Sequence, residues 1–113
     1  PGANKKFDAK KRWIAYSSTV MGSVRVDDGA RTALVDNNKS LLASGILALS
    51  GEFASGDVIS ISDKDGRELA RGRSNYSSDE VEKLKGLRSV DFKSVLGYKA
   101  KDEIVHKDNL VIL

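Results

Sequence analysis

The sequence predicts a compact, mainly β domain, a mixed barrel in which short helices alternate with short strands. Two observations lead to this prediction. Apolar residues recur in short runs, and glycine, aspartate and asparagine turn signals separate those runs. Strands and helices also follow one another without the regular β–α–β period of a parallel sheet. With 113 residues, the chain has room for a single core.

Composition agrees with a folded protein and excludes several kinds of site. Hydrophobic residues make up 40% of the chain and charged residues 31%, an ordinary balance for a folded domain. The lack of cysteine excludes disulfides and thiolate metal sites. No apolar run approaches the ~20 residues of a membrane span, and no signal-peptide pattern is present. We therefore expect a cytoplasmic location and no membrane partner.

The N-terminal residues predict a linker followed by a short helix. Residues 1–9 begin without hydrophobic periodicity and resemble a linker or a remnant of the expression vector. Asp8 is placed to cap a helix from Ala9 to about Tyr16, and Phe7 to pack on its first turn.

A strand and a helix follow. Gly22–Val26 alternates apolar and polar residues, as a half-buried strand does. Asp27 or Asp28 then caps a helix, and Asn37–Asn38 ends it, because asparagine tolerates left-handed backbone. Small and apolar residues recur along that helix at helical spacing, at Ala30, Ala33 and Leu34.

The middle of the chain predicts β structure. Ile46–Leu49 and Val58–Ser62 are strand candidates, and Glu68–Ser74 is the return strand of a hairpin. Its turn is Asp63–Gly66, in which Asp-Gly supplies the positive φ angles that tight hairpins require.

Two short helices and a terminal strand complete the domain. Ser77 and Glu80 form a capping box, and Gly86 ends that helix. Ser89 or Asp91 opens the next helix, with its apolar residues at Phe92, Val95 and Leu96.

The last segment predicts β structure again. Glu103–His106 is a strand candidate, and a turn at Asp108–Asn109 leads to the strand Leu110–Leu113. Because this final run is so apolar, we expect it in the centre of the sheet and not at an open edge.

Residues with catalytic chemistry are scarce. His106 is the only histidine and lies in a strand-like run, which favours a packed side chain over a base or a metal ligand. The run Gly51–Gly56 lacks the lysine of a phosphate-binding loop, and no serine lies in a G-x-S-x-G pattern. Asp63 and Asp65 resemble the start of a calcium loop that lacks its terminal glutamate. We predict no catalytic, cofactor-binding or metal-binding residue in this chain.

Charge and aromatic residues leave two interpretations open. Net charge is +3 with a pI near 9.2, and basic residues concentrate in Lys5–Arg12 and Arg67–Arg73. These cations either lie in solvent or contact phosphate. Four aromatic residues likewise either cover the ends of the core or stack on bases, namely Trp13, Tyr16, Tyr76 and Tyr98.

Several motifs, taken in order, resemble one family. Lys11–Ala15 resembles K-[KR]-x-W-[IL]-A, and Gly22–Ala30 resembles G-x-[IL]-x-[VI]-D-x-G-A. Lys39–Ile46 follows the pattern K-S-L-L-x-x-G-[IV], and Gly51–Val58 reads G-E-F-A-S-G-D-V. Val105–Val111 resembles V-[IV]-H-[RK]-D-[ND]-[LM]-V. From about Lys10 onward the chain is similar to the C-terminal PUA domain of bacterial glutamate 5-kinase. Ser17–Val20 departs from the family pattern, because the family often has a glycine-rich segment there and this chain does not.

This resemblance implies a PUA-like pseudobarrel over residues 10–113, with five to six strands and capping helices. It also implies a parent enzyme that phosphorylates the γ-carboxylate of L-glutamate with ATP and Mg²⁺, the first step of proline biosynthesis. An amino acid kinase domain upstream would carry that reaction, and the parent would be a homo-oligomer. No kinase motif occurs in this chain, so the resemblance implies an accessory or regulatory role and no enzymatic activity of its own.

An RNA-binding PUA module is the alternative. PUA domains of tRNA-modifying enzymes bind RNA through the glycine-bearing strand–helix region and a neighbouring strand. By position, the resemblance implies RNA or partner contacts at Gly22, Arg25, Gly29, Arg31, Lys39, Arg71 and Arg73.

Overall fold

The computed structural model describes residues 9–113, in which five strands and four α-helices are joined by short 3₁₀ turns. The helices are α1 (Ala9–Arg12), α2 (Asp28–Val35), α3 (Ser78–Leu84) and α4 (Phe92–Leu96). The strands are β1 (Val20–Val26), β2 (Ile46–Gly51), β3 (Val58–Ser62), β4 (Glu68–Arg73) and β5 (Leu110–Ile112). The predicted cap at Asp8 and the packing of Phe7 lie outside the described residues, as does nearly all of the predicted linker, residues 1–9.

The five strands form one mixed sheet in the order β2-β1-β3-β4-β5. β1 pairs with β3 in parallel, and every other neighbouring pair is antiparallel. The prediction of a mixed sheet with short helices is confirmed. The sheet is open, because β2 and β5 lie at its two edges.

The hairpin of β3 and β4 has the predicted turn. The carbonyl oxygen of Asp63 accepts from the amide of Gly66 at 3.0 Å, and its carboxylate accepts from the amides of Asp65 and Arg67. Of the two turn residues Asp65 and Gly66, only the glycine has a positive φ, of 91°. The left-handed position is thus filled by the residue that has no Cβ to clash.

The core occupies both faces of the sheet. The larger cluster packs between the inner face and α2, α3 and α4, and it contains Val24, Ile59, Ile61, Val81 and Phe92. On the outer face, Ile14 and Ala15 pack against Val58 and Val111. The N-terminal segment therefore covers the β3–β5 side of the outer face.

Capping side chains begin α2 and α3 as predicted, whereas Asp91 precedes α4 without a side-chain cap. Asp27 caps α2, since its Oδ1 accepts from the amide of Ala30 at 2.8 Å. Ser77 and Glu80 form the reciprocal capping box of α3. Asn38 has a φ of 57° just after α2, and Gly97 ends α4 in the left-handed region.

Two local predictions are wrong. The terminal strand β5 is an edge strand and not a central one: its side chains are buried on its two faces, but within residues 9–113 no strand pairs with its outer edge. Glu103–His106 makes a single bridge, from Val105 to Leu41, in place of a strand. Helix α4 contains the predicted Phe92, Val95 and Leu96, of which Phe92 is fully buried and Val95 is 43% exposed.

The first helix differs from its prediction in form. Regular α-helix ends at Arg12, and Trp13–Ser17 continues as a π-helical turn. No helix in residues 9–113 is both long and apolar enough to cross a membrane.

Candidate functional site

A groove of about 660 Å³ lies between α2 and the two segments that cross in front of it. One wall is α2, at Gly29, Ala30 and Ala33, and another is the loop 39–45. The segment from Glu103 to Lys107 closes the third side.

Close packing at Gly45 sets the position of the α2 wall. A Cβ on Gly45 would lie 2.5 Å from the Cβ of Ala30, so only glycine allows the loop to come this near to the helix. The amide of Asp27 donates to the Gly45 carbonyl at 2.9 Å while the Asp27 carboxylate caps the helix. Strand β1, helix α2 and the loop are thereby held together at one residue.

Backbone hydrogen bonds fix the opposite wall. The amide of Leu41 donates to Val105 at 2.9 Å, and the amide of Ile104 donates back to Leu41 at 2.9 Å. The amide of Lys107 donates to the Ser40 hydroxyl at 2.8 Å. Two segments that lie more than sixty residues apart in sequence therefore form a single rigid wall.

The rim of the groove carries charges of both signs. Lys39 and Lys107 are exposed cations, while Asp27 and Glu103 are anions. His106 also lines the groove, and its Nδ1 accepts from the amide of Asp108 at 3.1 Å. That hydrogen bond makes His106 a cap for a short 3₁₀ turn, Lys107–Asn109.

The structure brings only two of the seven predicted contact residues into this groove, Gly29 and Lys39. Arg25 lies on the outer face of the sheet, where its guanidinium reaches the hairpin turn at Gly66. In that turn the hydrogen bond from the Arg67 amide lowers the pKa of Asp63, and the positive charge of Arg31 adds a smaller effect in the same direction.

The remaining predicted residues have structural contacts. A Cβ on Gly22 would lie 2.7 Å from the ring of Phe53, so this glycine admits an aromatic side chain against β1. Arg71 pairs with Glu68 at 2.9 Å, and Arg73 donates to the carbonyl of Gly56 at 3.2 Å. A role for these residues in binding stays a prediction.

Sequence reasoning missed Ser40, His106 and Lys107 as groove residues. Lys107 lies 68 residues after Lys39 in the sequence, and no local pattern relates them. Only the hydrogen bond between Ser40 and the Lys107 amide places them side by side.

The ion pairs on the surface are local. The hydrogen bond from Arg71 holds the pKa of Glu68 below its ordinary value, and Glu68 in turn raises the pKa of Arg71. Lys64 donates to Asp28 at 3.1 Å, which raises the pKa of the lysine and joins the hairpin turn to the start of α2. These pairs orient surface elements and leave the groove cations Lys39 and Lys107 unpaired within residues 9–113.

The aromatic residues are divided between core and surface. Tyr76 is buried and packs edge-on against Phe92, with ring centroids 5.7 Å apart. Trp13, Tyr16 and Tyr98 are 49%, 70% and 49% exposed, and none of them lines the groove.

Comparison of the sequence with models of known protein families identifies the family of this domain. The model for the PUA domain matches residues 22–96, about two thirds of the chain. The chain belongs to the PUA domain family. Residues Gly29, Lys39 and Gly45 of the groove all lie inside the matched part of this PUA domain.

Curated relatives of this PUA domain are glutamate 5-kinases. One from Caldanaerobacter subterraneus is 51% identical over 95% of the chain, and one from Microcystis aeruginosa is 49% identical over 98%. The chain spans only 29% and 30% of the length of those two proteins, and it corresponds to their C-terminal region.

Solved structures show the same fold at low sequence identity. A PUA domain of Aeropyrum pernix K1, determined as a tartrate complex, has a TM-score of 0.56 and 21% identity, over 76% of this chain and 41% of that one. A chain in an H/ACA ribonucleoprotein bound to a substrate RNA has a TM-score of 0.54 and 20% identity, over 76% of this chain and 23% of its own length. Both establish the architecture alone.

Proposed function

We propose that this PUA domain is the accessory, regulatory part of a glutamate 5-kinase and has no enzymatic activity of its own. The observation that carries the proposal is the identity of about half of the residues over nearly the whole chain, combined with coverage of under a third of each relative. The domain would span residues 10–113, and the upstream part of the parent would be an amino acid kinase domain. The assembly would be cytoplasmic and homo-oligomeric.

The described residues do not fit the cofactors of that reaction. Residues 9–113 contain no group of three or more histidine, cysteine, aspartate or glutamate side chains that could hold a metal ion. On the rim of the groove, the amides of Leu41, Gly45 and Lys107 already have intramolecular acceptors, so these three amides are not available to a phosphate group. ATP and Mg²⁺ would therefore bind the upstream part of the parent, where γ-carboxylate phosphorylation would take place.

Truncation of the parent tests this function. The full-length protein, the protein without residues 10–113 and the isolated PUA domain are compared for ATP-dependent phosphorylation of glutamate. We expect turnover from the first two, none from the third, and altered inhibition by proline or altered assembly in the second. Complete loss of turnover in a still-folded truncation, or turnover by the isolated domain, would overturn the proposal.

RNA binding is the second candidate, and the groove favours it. Gly29 leaves the start of α2 open to close approach, and Lys39 and Lys107 place two exposed cations on the rim. This arrangement suits a phosphate backbone that follows the groove. No phenylalanine, tyrosine or tryptophan ring lines the groove within the described part of the chain, so we expect contacts mainly to phosphate and sugar.

Salt dependence tests RNA binding. The domain is titrated with a structured tRNA at two salt concentrations, and binding should weaken steeply as salt rises if several phosphates are neutralised. Lys39→Glu should weaken binding, whereas Lys93→Glu on the remote helix α4 should leave it unchanged. The absence of binding at low salt would overturn this second candidate.

A further inference from the structure

A second groove, of about 700 Å³, runs beside the terminal strand β5. Its lining residues come from α1, from the end of α2 and from the last segment of the chain. They are Lys11, Val35, Asn38, Lys39, Lys107, Asp108, Leu110, Val111 and Ile112.

The floor of this groove is the backbone edge of β5. Leu110, Val111 and Ile112 line the groove consecutively, although successive residues of a strand point to opposite faces. The side chains of Leu110 and Val111 are only 5% and 1% exposed, and they enter the inner and the outer core cluster, respectively. What the two residues present to the groove is therefore main chain.

Within residues 9–113 that edge has no neighbouring strand on its outer side, although the amide of Leu110 already donates to the carbonyl of Lys107 in the preceding 3₁₀ turn. Within residues 9–113, β5 pairs with β4 alone, at Leu110, Val111 and Ile112. No side chain donates to or accepts from these three residues among the described hydrogen bonds of residues 9–113. β5 also lacks the charged residues and prolines with which monomeric proteins protect their edge strands.

The walls of the groove are positively charged. Lys11, Lys39 and Lys107 contribute three cations, against one carboxylate at Asp108. Lys39 and Lys107 are exposed, and they form the boundary between this groove and the one beside α2. A partner that lies along β5 would thus pass close to the exposed Lys39 and Lys107.

We propose that the edge of β5 binds an extended, acidic segment of polypeptide, which adds a strand to the sheet. An open strand edge offers alternating amide donors and carbonyl acceptors, and an extended peptide matches both. The phosphodiester groups of a nucleic acid supply acceptors only, and within residues 9–113 no aromatic ring lines this groove for bases to stack on. Acidic side chains on the added strand complement the exposed Lys39 and Lys107.

The size of the edge sets the strength of binding. β5 is three residues long, so an added strand gains only a few main-chain hydrogen bonds. We therefore expect a dissociation constant between about 10 µM and 1 mM, with much of the affinity supplied by charge and weakened by salt.

Peptide titrations of the isotopically labelled domain test the proposal. The probe is a capped octapeptide in which valine and glutamate alternate. It should shift the amide resonances of residues 107–113 and slow their hydrogen exchange. The same peptide with lysine in place of glutamate, or with two central prolines that remove main-chain donors, should bind at least about tenfold more weakly.

Matched variants and an RNA probe complete the experiment. The double variant Lys39→Glu/Lys107→Glu should weaken binding of the acidic peptide by about tenfold or more, and Lys93→Glu/Lys101→Glu should not change it. The proposal is overturned if the acidic peptide at millimolar concentration leaves residues 107–113 unshifted, or if the lysine or proline peptide binds equally well. It is also overturned if a uridine octanucleotide binds this edge more tightly than the peptide.

Discussion

Arg71 donates from its guanidinium Nη1 to the carbonyl oxygen of Ala15 at 3.1 Å. This contact joins β4 to the π-helical turn that covers the outer face of the sheet. The same guanidinium pairs with Glu68, which holds it in position along the strand. One arginine that the sequence suggested for phosphate binding thereby anchors the N-terminal segment to the domain.

Replacing Arg71 with alanine should loosen that segment. We expect a loss of about 1 kcal/mol in the free energy of unfolding, because the charge-assisted hydrogen bonds to Ala15 and to Glu68 are removed at a partly exposed site. Amide exchange of residues 9–17 should accelerate more than that of β3. Urea denaturation and hydrogen exchange measure the two effects. Arg88→Ala, at an exposed position, is the control, and an equal loss in both variants would contradict the anchoring role.

Replacing Gly22 or Gly29 with alanine should change the free energy of unfolding in opposite directions. Gly22→Ala drives a Cβ into Phe53 and the Ser50 carbonyl, and we expect a destabilisation of about 1–3 kcal/mol. Gly29→Ala lies in helix α2, where a Cβ meets nothing closer than 3.5 Å, and it should stabilise by up to about 1 kcal/mol.

Thermal and urea unfolding of the two variants measure these changes. If the Gly29→Ala protein is more stable but binds tRNA more weakly, the glycine is needed for RNA to approach the helix closely and is not needed for folding. Two variants with the same change in unfolding free energy would contradict the packing argument.

The stability of the domain should depend on pH through Glu68. Arg71 lowers the pKa of this carboxylate in the folded state, so its contribution is complete above the unfolded pKa of about 4.5 and is lost as the pH falls through the lower folded value. Because the pair is partly exposed, we expect a contribution of a few tenths of a kcal/mol. Glu68→Gln should flatten the decline in unfolding free energy below about pH 4.5.

Urea denaturation at a series of acid pH values measures that slope. Glu52→Gln, an exposed substitution of the same kind, is the control. An unchanged slope in Glu68→Gln would show that the ion pair makes no contribution to folding.

Removal of the Tyr76 hydroxyl should weaken the packing of the segment before Ile104. This hydroxyl donates to the carbonyl of Lys101 and accepts from the Lys101 amide at 2.8 Å. Tyr76→Phe keeps the ring packed on Phe92 but leaves two main-chain groups without partners, at a cost of about 1–2 kcal/mol. Calorimetry measures the loss, and Tyr16→Phe, on a largely exposed ring, should change stability less.

The sequence by itself determined most local structure of this PUA domain. Caps at Asp27 and at Ser77 with Glu80, and the turn at Asp63–Gly66, are signals that act over three or four residues. Such signals are readable because the interacting atoms are close along the chain.

Only the tertiary structure decided how distant segments meet. Lys39 and Lys107 lie on the rim of the same groove because the Lys107 amide donates to the Ser40 hydroxyl. Arg71 binds the N-terminal segment because the carbonyl of Ala15 lies within hydrogen-bond distance of β4. The edge position of β5 was mispredicted for a related reason. A run of apolar residues indicates that both faces of a strand are buried. It does not indicate whether another strand pairs with each edge, because that depends on the order of the strands in the sheet.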